Sequence, residues 1–210
     1  MPTNDLSHDE IARLYGPWLK RTPADAAVLL ADYPGRWWIA GGWAIEAFTG
    51  IERDHGDLDP SVPRLELPLL RRHLVGQLDL WAADQGSLRP LIPEDADDEQ
   101  LPASCENVWA RRSGADPWEY DIILMGATAT TWIFKRDGRI NRPIDEIVFS
   151  LDGISYLRPE IQLLHKASRI RPKDHEDFDA TLPLLADQDR HWLREAMTLV
   201  HPDHPWLEVL

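Results

Sequence analysis

Residues 38–59, Trp-Ile-Ala-Gly-Gly-Trp-Ala-Ile-Glu-Ala-Phe-Thr-Gly-Ile-Glu-Arg-Asp-His-Gly-Asp-Leu-Asp, place a glycine pair after an apolar run and, shortly downstream, two aspartates one residue apart. This pattern constrains the chain more than any other. Arg36 to Ala40 reads as a short strand, Gly41-Gly42 as its tight exit, and Trp43 to Thr49 as a helix closed by Gly50 in a left-handed conformation. Glycines at that exit let a ligand approach the backbone closely, and the helix start turns free N–H groups toward an anion. Asp57 and Asp59 flank Leu58, so in an extended segment both carboxylates leave from one face while Leu58 enters the core. Paired carboxylates completed by phosphate oxygens form the shell that a magnesium ion accepts. The segment therefore suits a metal-bound nucleoside triphosphate.

A third carboxylate, Asp121, sits in the apolar run Trp-Glu-Tyr-Asp-Ile-Ile-Leu-Met and needs a hydrogen bond, an ion partner or a metal to offset desolvation. Two readings are open for it. It is either a member of a metal site with Asp57 and Asp59, where two metals would stabilise the attacking and leaving oxygens of an in-line displacement at phosphorus, or an edge-strand residue facing water beside Glu119. The upstream aspartate pair favours the first. Arg53 and His55 are placed to contact a triphosphate or to orient the loop; the bland alternatives are an ion pair of Arg53 with Glu52 or Asp54 and a satisfied loop histidine. Lys166, beside the apolar positions Ile161, Leu164 and Ala167, is a candidate to reach phosphate. His201 and His204 lack an evident third ligand and are assigned to helix termination and packing. Most of the ten tryptophans fall in expected core elements, with Trp43 the exception, next to the glycine pair.

A chain of 210 residues supports one sizeable α/β core with a helical appendage, read as a core over 1–150 and a C-terminal helical part over 151–210. The net charge of −14 opposes binding of a long polyanion such as nucleic acid and attracts a cationic small molecule. No apolar stretch is long enough to span a bilayer, and the acidic, polar N-terminus is unlike a secretory signal, so a cytoplasmic location is expected. A single cysteine, Cys105, excludes an internal disulfide.

Ser7-His8-Asp9-Glu10 is a capping box predicting a helix to about Lys20, and Thr22-Pro23-Ala24-Asp25 starts a second that ends by Pro34-Gly35. A helix is expected near Leu69 to Gln77, strands near Leu78 to Ala82 and Ser87 to Leu91, and a solvated acidic loop over Glu94 to Glu99. Val108 to Arg112, Trp118 to Met125 and Thr130 to Lys135 read as consecutive strands forming the far half of the sheet. Helices follow over Pro159 to Arg169, Lys173 to Leu185 and Asp189 to Val200.

Laid out this way, the chain resembles the aminoglycoside 2''-adenylyltransferase family, relatives of the lincosamide nucleotidyltransferases in the polymerase-beta-like nucleotidyltransferase superfamily. The resemblance rests on Gly41-Gly42-Trp43-Ala44, Arg53-Asp54-His55-Gly56-Asp57-Leu58-Asp59, Tyr120-Asp121-Ile122-Ile123-Leu124 and Trp132-Ile133-Phe134-Lys135-Arg136-Asp137. It continues through Pro159-Glu160-Ile161-Gln162-Leu163-Leu164-His165-Lys166, Arg171-Pro172-Lys173-Asp174 and His201-Pro202. It implies an α/β (α+β) nucleotidyltransferase fold, a mixed β-sheet flanked by helices with a C-terminal helical part. It also implies Mg2+ as cofactor, ATP as donor, and transfer of AMP to a hydroxyl with release of pyrophosphate. By the same resemblance Asp57, Asp59 and Asp121 are metal ligands and catalytic carboxylates, and Gly41, Gly42, Trp43, Arg53, His55, Lys166 and Lys173 are nucleotide-binding candidates. The resemblance does not transfer the acceptor; the expectation of a small hydroxylated molecule, with cationic aminoglycoside-like antibiotics as one class, rests on the acidic net charge. Pro60 departs from what a central strand tolerates and raises the question whether the strand ends early and misplaces Asp59. A macromolecular acceptor, as in nucleotidyltransferase toxins, and an inactive nucleotide-binding protein are the competing readings. Oligomeric state is left open by the sequence.

Overall fold

The Ser7 hydroxyl accepts the backbone N–H of Glu10 while the Glu10 carboxylate accepts the Ser7 N–H at 2.8 Å, which starts helix α1 (His8–Tyr15). The helix stops five residues short of the expected Lys20, because Gly16 turns to φ 104° and Pro17 follows. A second capping box, Thr22 with Asp25 and with Pro23 in the first turn, opens α2 (Pro23–Leu29). The computed structural model describes residues 6–92, 101–168 and 170–210, so the acidic loop expected at Glu94 to Glu99 and the helix end expected at Arg169 lie outside the described residues. The chain divides into two compact units, Met1–Trp38 with His55–Gly126 and Ile39–Asp54 with Ala127–Leu210.

In the first unit the strands are β2 (Pro60–Pro63), β3 (Asp79–Asp84), β4 (Ser87–Pro90), β5 (Asn107–Arg111) and β6 (Tyr120–Met125), in the spatial order β4-β3-β5-β6-β2. Only β2 and β6 run parallel here, Ser61 opposite Ile123, so the sheet is mixed. Gln85 at φ 49° and Gly86 at φ 82° make the two-residue turn of the β3–β4 hairpin, whose left-handed residues match the strand twist. Helix α4 (Leu67–Leu74) buries Leu67, Leu70 and Leu74. Tyr15, Trp18, Trp81, Trp109 and Trp118 form an edge-to-face aromatic cluster, with the Arg111 guanidinium 4.0 Å from the Trp118 ring and 4.5 Å from that of Trp81. These tryptophans are packing residues, as expected of Trp109.

The second unit begins within β1 (Trp38–Ile39), whose Ile39 pairs in parallel with Tyr156, and continues into α3 (Gly41–Thr49). Strand β7 (Thr131–Ile133) departs from expectation. It pairs with β8 (Asn141–Pro143) in a separate two-stranded ladder, with one further bridge from Trp132 to Ala127, instead of extending the far half of the main sheet. The hairpin β9 (Val148–Leu151) and β10 (Ile154–Leu157) turns at Asp152 (φ 50°) and Gly153 (φ 80°), an Asp-Gly signal that the strand reading passed over. Three helices follow, α5 (Pro159–Lys166), α6 (Pro172–Thr181) and α7 (Asp187–Val200). Trp206 stacks on Phe178 with ring centres 4.2 Å apart. His201 ends α7, its N–H bonded to Met197, and the His204 ring accepts the Trp206 N–H at 3.1 Å, so both histidines serve termination and packing. Among the described residues no helix is long and apolar enough to cross a membrane.

Candidate active site

The parallel pairing of β2 with β6 builds the carboxylate cluster. Ser61 lies opposite Ile123, and continuing that register back by two residues brings Asp59 beside Asp121. The Asp121 N–H donates to the Leu58 carbonyl at 3.0 Å, which holds residues 57–59 extended alongside β6. Leu58 and Ile122, on the opposite face, are buried at 0% and 2% exposure. The oxygens of Asp57, Asp59 and Asp121 consequently come within 4.8 Å of one another. Pro60 does no damage. It is the first residue of β2, a position where a proline is tolerated, and β2 runs on to Pro63.

Asp121 is no edge-strand residue, because β6 lies between β5 and β2. Glu119 does not face water either: it is buried at 3% exposure and paired with Arg21, whose Nε donates to its Oε2 at 3.1 Å. Burial pushes the Asp121 carboxyl up to about 7, and the nearby charge of Asp57 pushes in the same direction, while hydrogen bonds from Asn107 and Trp109 pull it down. Asn107 donates from Nδ2 to Asp121 Oδ1 at 2.7 Å. The sequence reading did not single out Asn107. Its signal was available only through register, since Val108 pairs with Ile122 and places the preceding asparagine diagonally from Asp121. By binding one oxygen, the neutral amide fixes the carboxylate's rotamer and leaves the other oxygen for the cluster.

Three clustered carboxylates, with the proton affinity of Asp121 raised by its burial, are the oxygen ligands that a hard divalent cation takes. The donor set, all hard carboxylate oxygens, fits Mg2+.

In the second unit Gly41 adopts φ 66°, which an L side chain resists, and its N–H donates to the buried Gln162 Oε1 at 2.8 Å. Helix α3 starts at Gly41, two residues earlier than expected, with no side-chain cap and no acidic residue in its first turn; it closes at Gly50 in the left-handed region (φ 70°). Gly42 leaves room of another kind: a methyl group there would displace the Arg53 guanidinium. Arg53 pairs neither with Glu52 nor with Asp54. Its Nη1 meets Asp177 Oδ1 at 2.8 Å, and its backbone N–H donates to Glu46. Trp43 is half-buried in the first turn of α3.

Lys166 is more deeply engaged than the sequence suggests. At 8% exposure it sits 2.8 Å from both Asp174 Oδ1 and Asp177 Oδ2, so its ammonium is held by two carboxylates of α6. Arg171 in turn pairs with Asp174, whose carboxyl is held near 2 by these cations against the opposing effect of its burial. Asp174 and Asp177, at 0% and 3% exposure, are buried partners in the first two turns of α6. Lys173 is exposed in the first turn of α6, and His55, in the first unit, is half-buried.

No family model matches the chain, and no curated protein sequence matches it. Two solved structures are similar in fold. One is the lincosamide antibiotic adenylyltransferase LnuA in its lincomycin-bound form, at 15% identity and a TM-score of 0.51, covering 80% of this chain and 99% of that one. The other is the solution structure of the antibiotic-resistance factor ANT(2'')-Ia, at 16% identity and a TM-score of 0.50, covering 85% of this chain and 90% of that one. The fold class is thus α/β, a mixed sheet with helices of the kind seen in these nucleotidyltransferases.

Proposed function

We propose that this chain is a magnesium-dependent nucleotidyltransferase that transfers AMP from ATP to a hydroxyl of a small molecule. The observation that carries this reading is the convergence of Asp57, Asp59 and Asp121, distant in sequence, within 4.8 Å. Like charges are not gathered at such distances without a stabilising counterion or a proton. The fold likeness to two antibiotic adenylyltransferases supports the same class of chemistry.

Asp57, Asp59 and Asp121 would hold Mg2+, which when bound neutralises charge on phosphate oxygens. Asp121, oriented by Asn107 within the cluster, accepts the proton of the acceptor hydroxyl. The hydroxyl oxygen forms a bond to the α-phosphorus of ATP as the bond from that phosphorus to the bridging oxygen breaks, and pyrophosphate leaves with the electron pair. Asn107 keeps the Asp121 carboxylate in one orientation throughout. Gly41, Gly42, Trp43, Arg53 and His55, with Lys166 and Lys173 of the C-terminal helices, are the residues proposed to serve nucleotide binding. For Lys166 that role is indirect while both carboxylates hold it.

The net charge of −14 favours a cationic acceptor, so aminoglycosides head the acceptor panel and lincosamides follow. The test is pyrophosphate release from ATP and Mg2+ across that panel, with mass spectrometry of the acceptor for the added AMP. Acceptor-dependent release supports the proposal. Tight ATP binding with no release for any hydroxylated acceptor refutes it in favour of a nucleotide-binding protein without transfer activity.

A further inference from the structure

Arg53, Asp177, Lys166, Asp174 and Arg171 form one chain of alternating charge in the second unit. Its middle is buried and its Arg53 end lies against Gly42. A plain staple between the residue 53 segment and α6 would engage the guanidinium fork on both oxygens of Asp177. The pairing seen here is different. Asp177 receives Nη1 on Oδ1 and gives Oδ2 to Lys166, while Arg53 Nε is buried without a hydrogen-bond partner. A charged donor left unsatisfied beside a glycine whose missing side chain makes room for it points to an anion as its further partner.

We propose that Asp177 is a positioning residue for the nucleotide: it holds the Arg53 guanidinium over Gly42 so that the remaining donors meet a phosphate group, and Lys166 fixes Asp177 from behind. This rests on the nucleotidyltransferase reading above. Asp177 itself touches no substrate; it acts through Arg53. Gly42 is then needed for the space it leaves to Arg53 as well as for its backbone.

The experiment is ATP binding by calorimetry, with KM and kcat for ATP, on wild type, Asp177→Asn, Arg53→Met and the double variant, each at a temperature where it is folded by circular dichroism. Asp177→Asn is expected to weaken ATP binding and raise KM roughly tenfold, the loss of one charge-assisted hydrogen bond, with kcat held within about threefold. The double variant is expected to be no worse than Arg53→Met alone, and Asp177→Glu to recover part of the affinity. Unchanged ATP affinity in Asp177→Asn, or losses that simply add in the double variant, overturn the proposal. If Asp177→Asn does not fold, Gly42→Ala replaces it, since its methyl group displaces Arg53 and leaves the Lys166 pairs in place; the same loss supports the inference and wild-type affinity overturns it. Wild-type protein that binds no nucleotide overturns the functional reading and this one together, whereas wild-type binding matched by Asp177→Asn overturns this one alone.

Discussion

In the first unit three carboxylates share a space of less than 5 Å, with the Asn107 amide and the Trp109 indole as donors to one of them. In the second, Asp174 and Asp177 are buried more deeply, yet each is met by two cations, Lys166 with Arg171 for one and Lys166 with Arg53 for the other. The consequences appear in their proton affinities, Asp121 raised to about 7 and Asp174 lowered to about 2. A buried carboxylate pair already met by cations behaves as scaffold, whereas three carboxylates gathered within reach of one another form a site that a divalent cation can enter. The contrast separates the residues proposed to do chemistry from those proposed to hold other residues in place.

The largest effect should come from breaking the compensated network. Lys166→Met leaves Asp174 and Asp177 with fewer cations in a buried site and is expected to destabilise the protein by about 3 to 5 kcal/mol, read from urea denaturation. A loss below about 1 kcal/mol would mean that the network is not scaffold. Asp57→Asn makes the complementary test. It should lower turnover in the pyrophosphate assay by at least ~100-fold with no loss of stability, because it removes electrostatic stabilisation and relieves like-charge repulsion. Unchanged turnover would remove Asp57 from the site.

Asp121→Asn sharpens the same distinction. A carboxyl whose proton affinity is raised on folding contributes stability that is complete below its unfolded range, near 4, and is lost as pH rises through about 7. In metal-free wild type this contribution should therefore disappear between about pH 4 and 7, and Asp121→Asn should be the more stable of the two at pH 8 by about 2 kcal/mol. Adding Mg2+ should stabilise wild type and not the variant. A variant less stable than wild type in chelator at pH 8 would contradict the raised proton affinity of Asp121.

The two units also differ in how much of them could be read from the sequence. The cluster in the first was legible because the alternation Asp57-Leu58-Asp59 and the apolar setting of Asp121 report local geometry directly, one side chain in and the next out. Asn107 was not, since its role depends on which residue of β5 lies diagonal to Asp121 across a ladder. In the second unit the glycine turn and the C-terminal helices were legible from spacing. Lys166 was seen as a basic residue on an apolar helix, but its partners lie one and two turns into the next helix, and nothing local distinguishes a buried aspartate in Lys173-Asp174-His175-Glu176-Asp177 from a solvated one. The β9–β10 hairpin was missed although Asp152-Gly153 marks it, because its strands are only four residues each and half exposed. Strand β7 was assigned the right conformation and the wrong partner, a question of tertiary pairing that β-propensity does not address.

The smallest effect concerns His165, where the second unit departs from its own pattern. Its ring packs edge-on against Trp132 and Phe134, with centroids 6.0 and 5.1 Å away, and its buried Nε2 has no hydrogen-bond partner. Burial first, and then the positive charges of Lys135 and Arg136, push its proton affinity down to about 3. For a histidine lowered in this way the stabilising contribution is complete above about 6.5 and is lost as pH falls, because the unfolded chain takes up a proton that the folded one refuses. Wild-type stability should decline below pH 6.5 with a contribution from this residue of up to about 1.4 kcal/mol per pH unit. His165→Phe retains the ring contacts and removes the titration, so near pH 7.5 it should differ little from wild type and at pH 5 it should be the more stable. Parallel pH profiles of the two proteins in thermal denaturation would show that acid sensitivity in this unit arises elsewhere. The acid response of the second unit would then trace to its paired aspartates, whose ion pairs fail as the carboxylates take up protons, and the comparison between the units would rest on carboxylates alone.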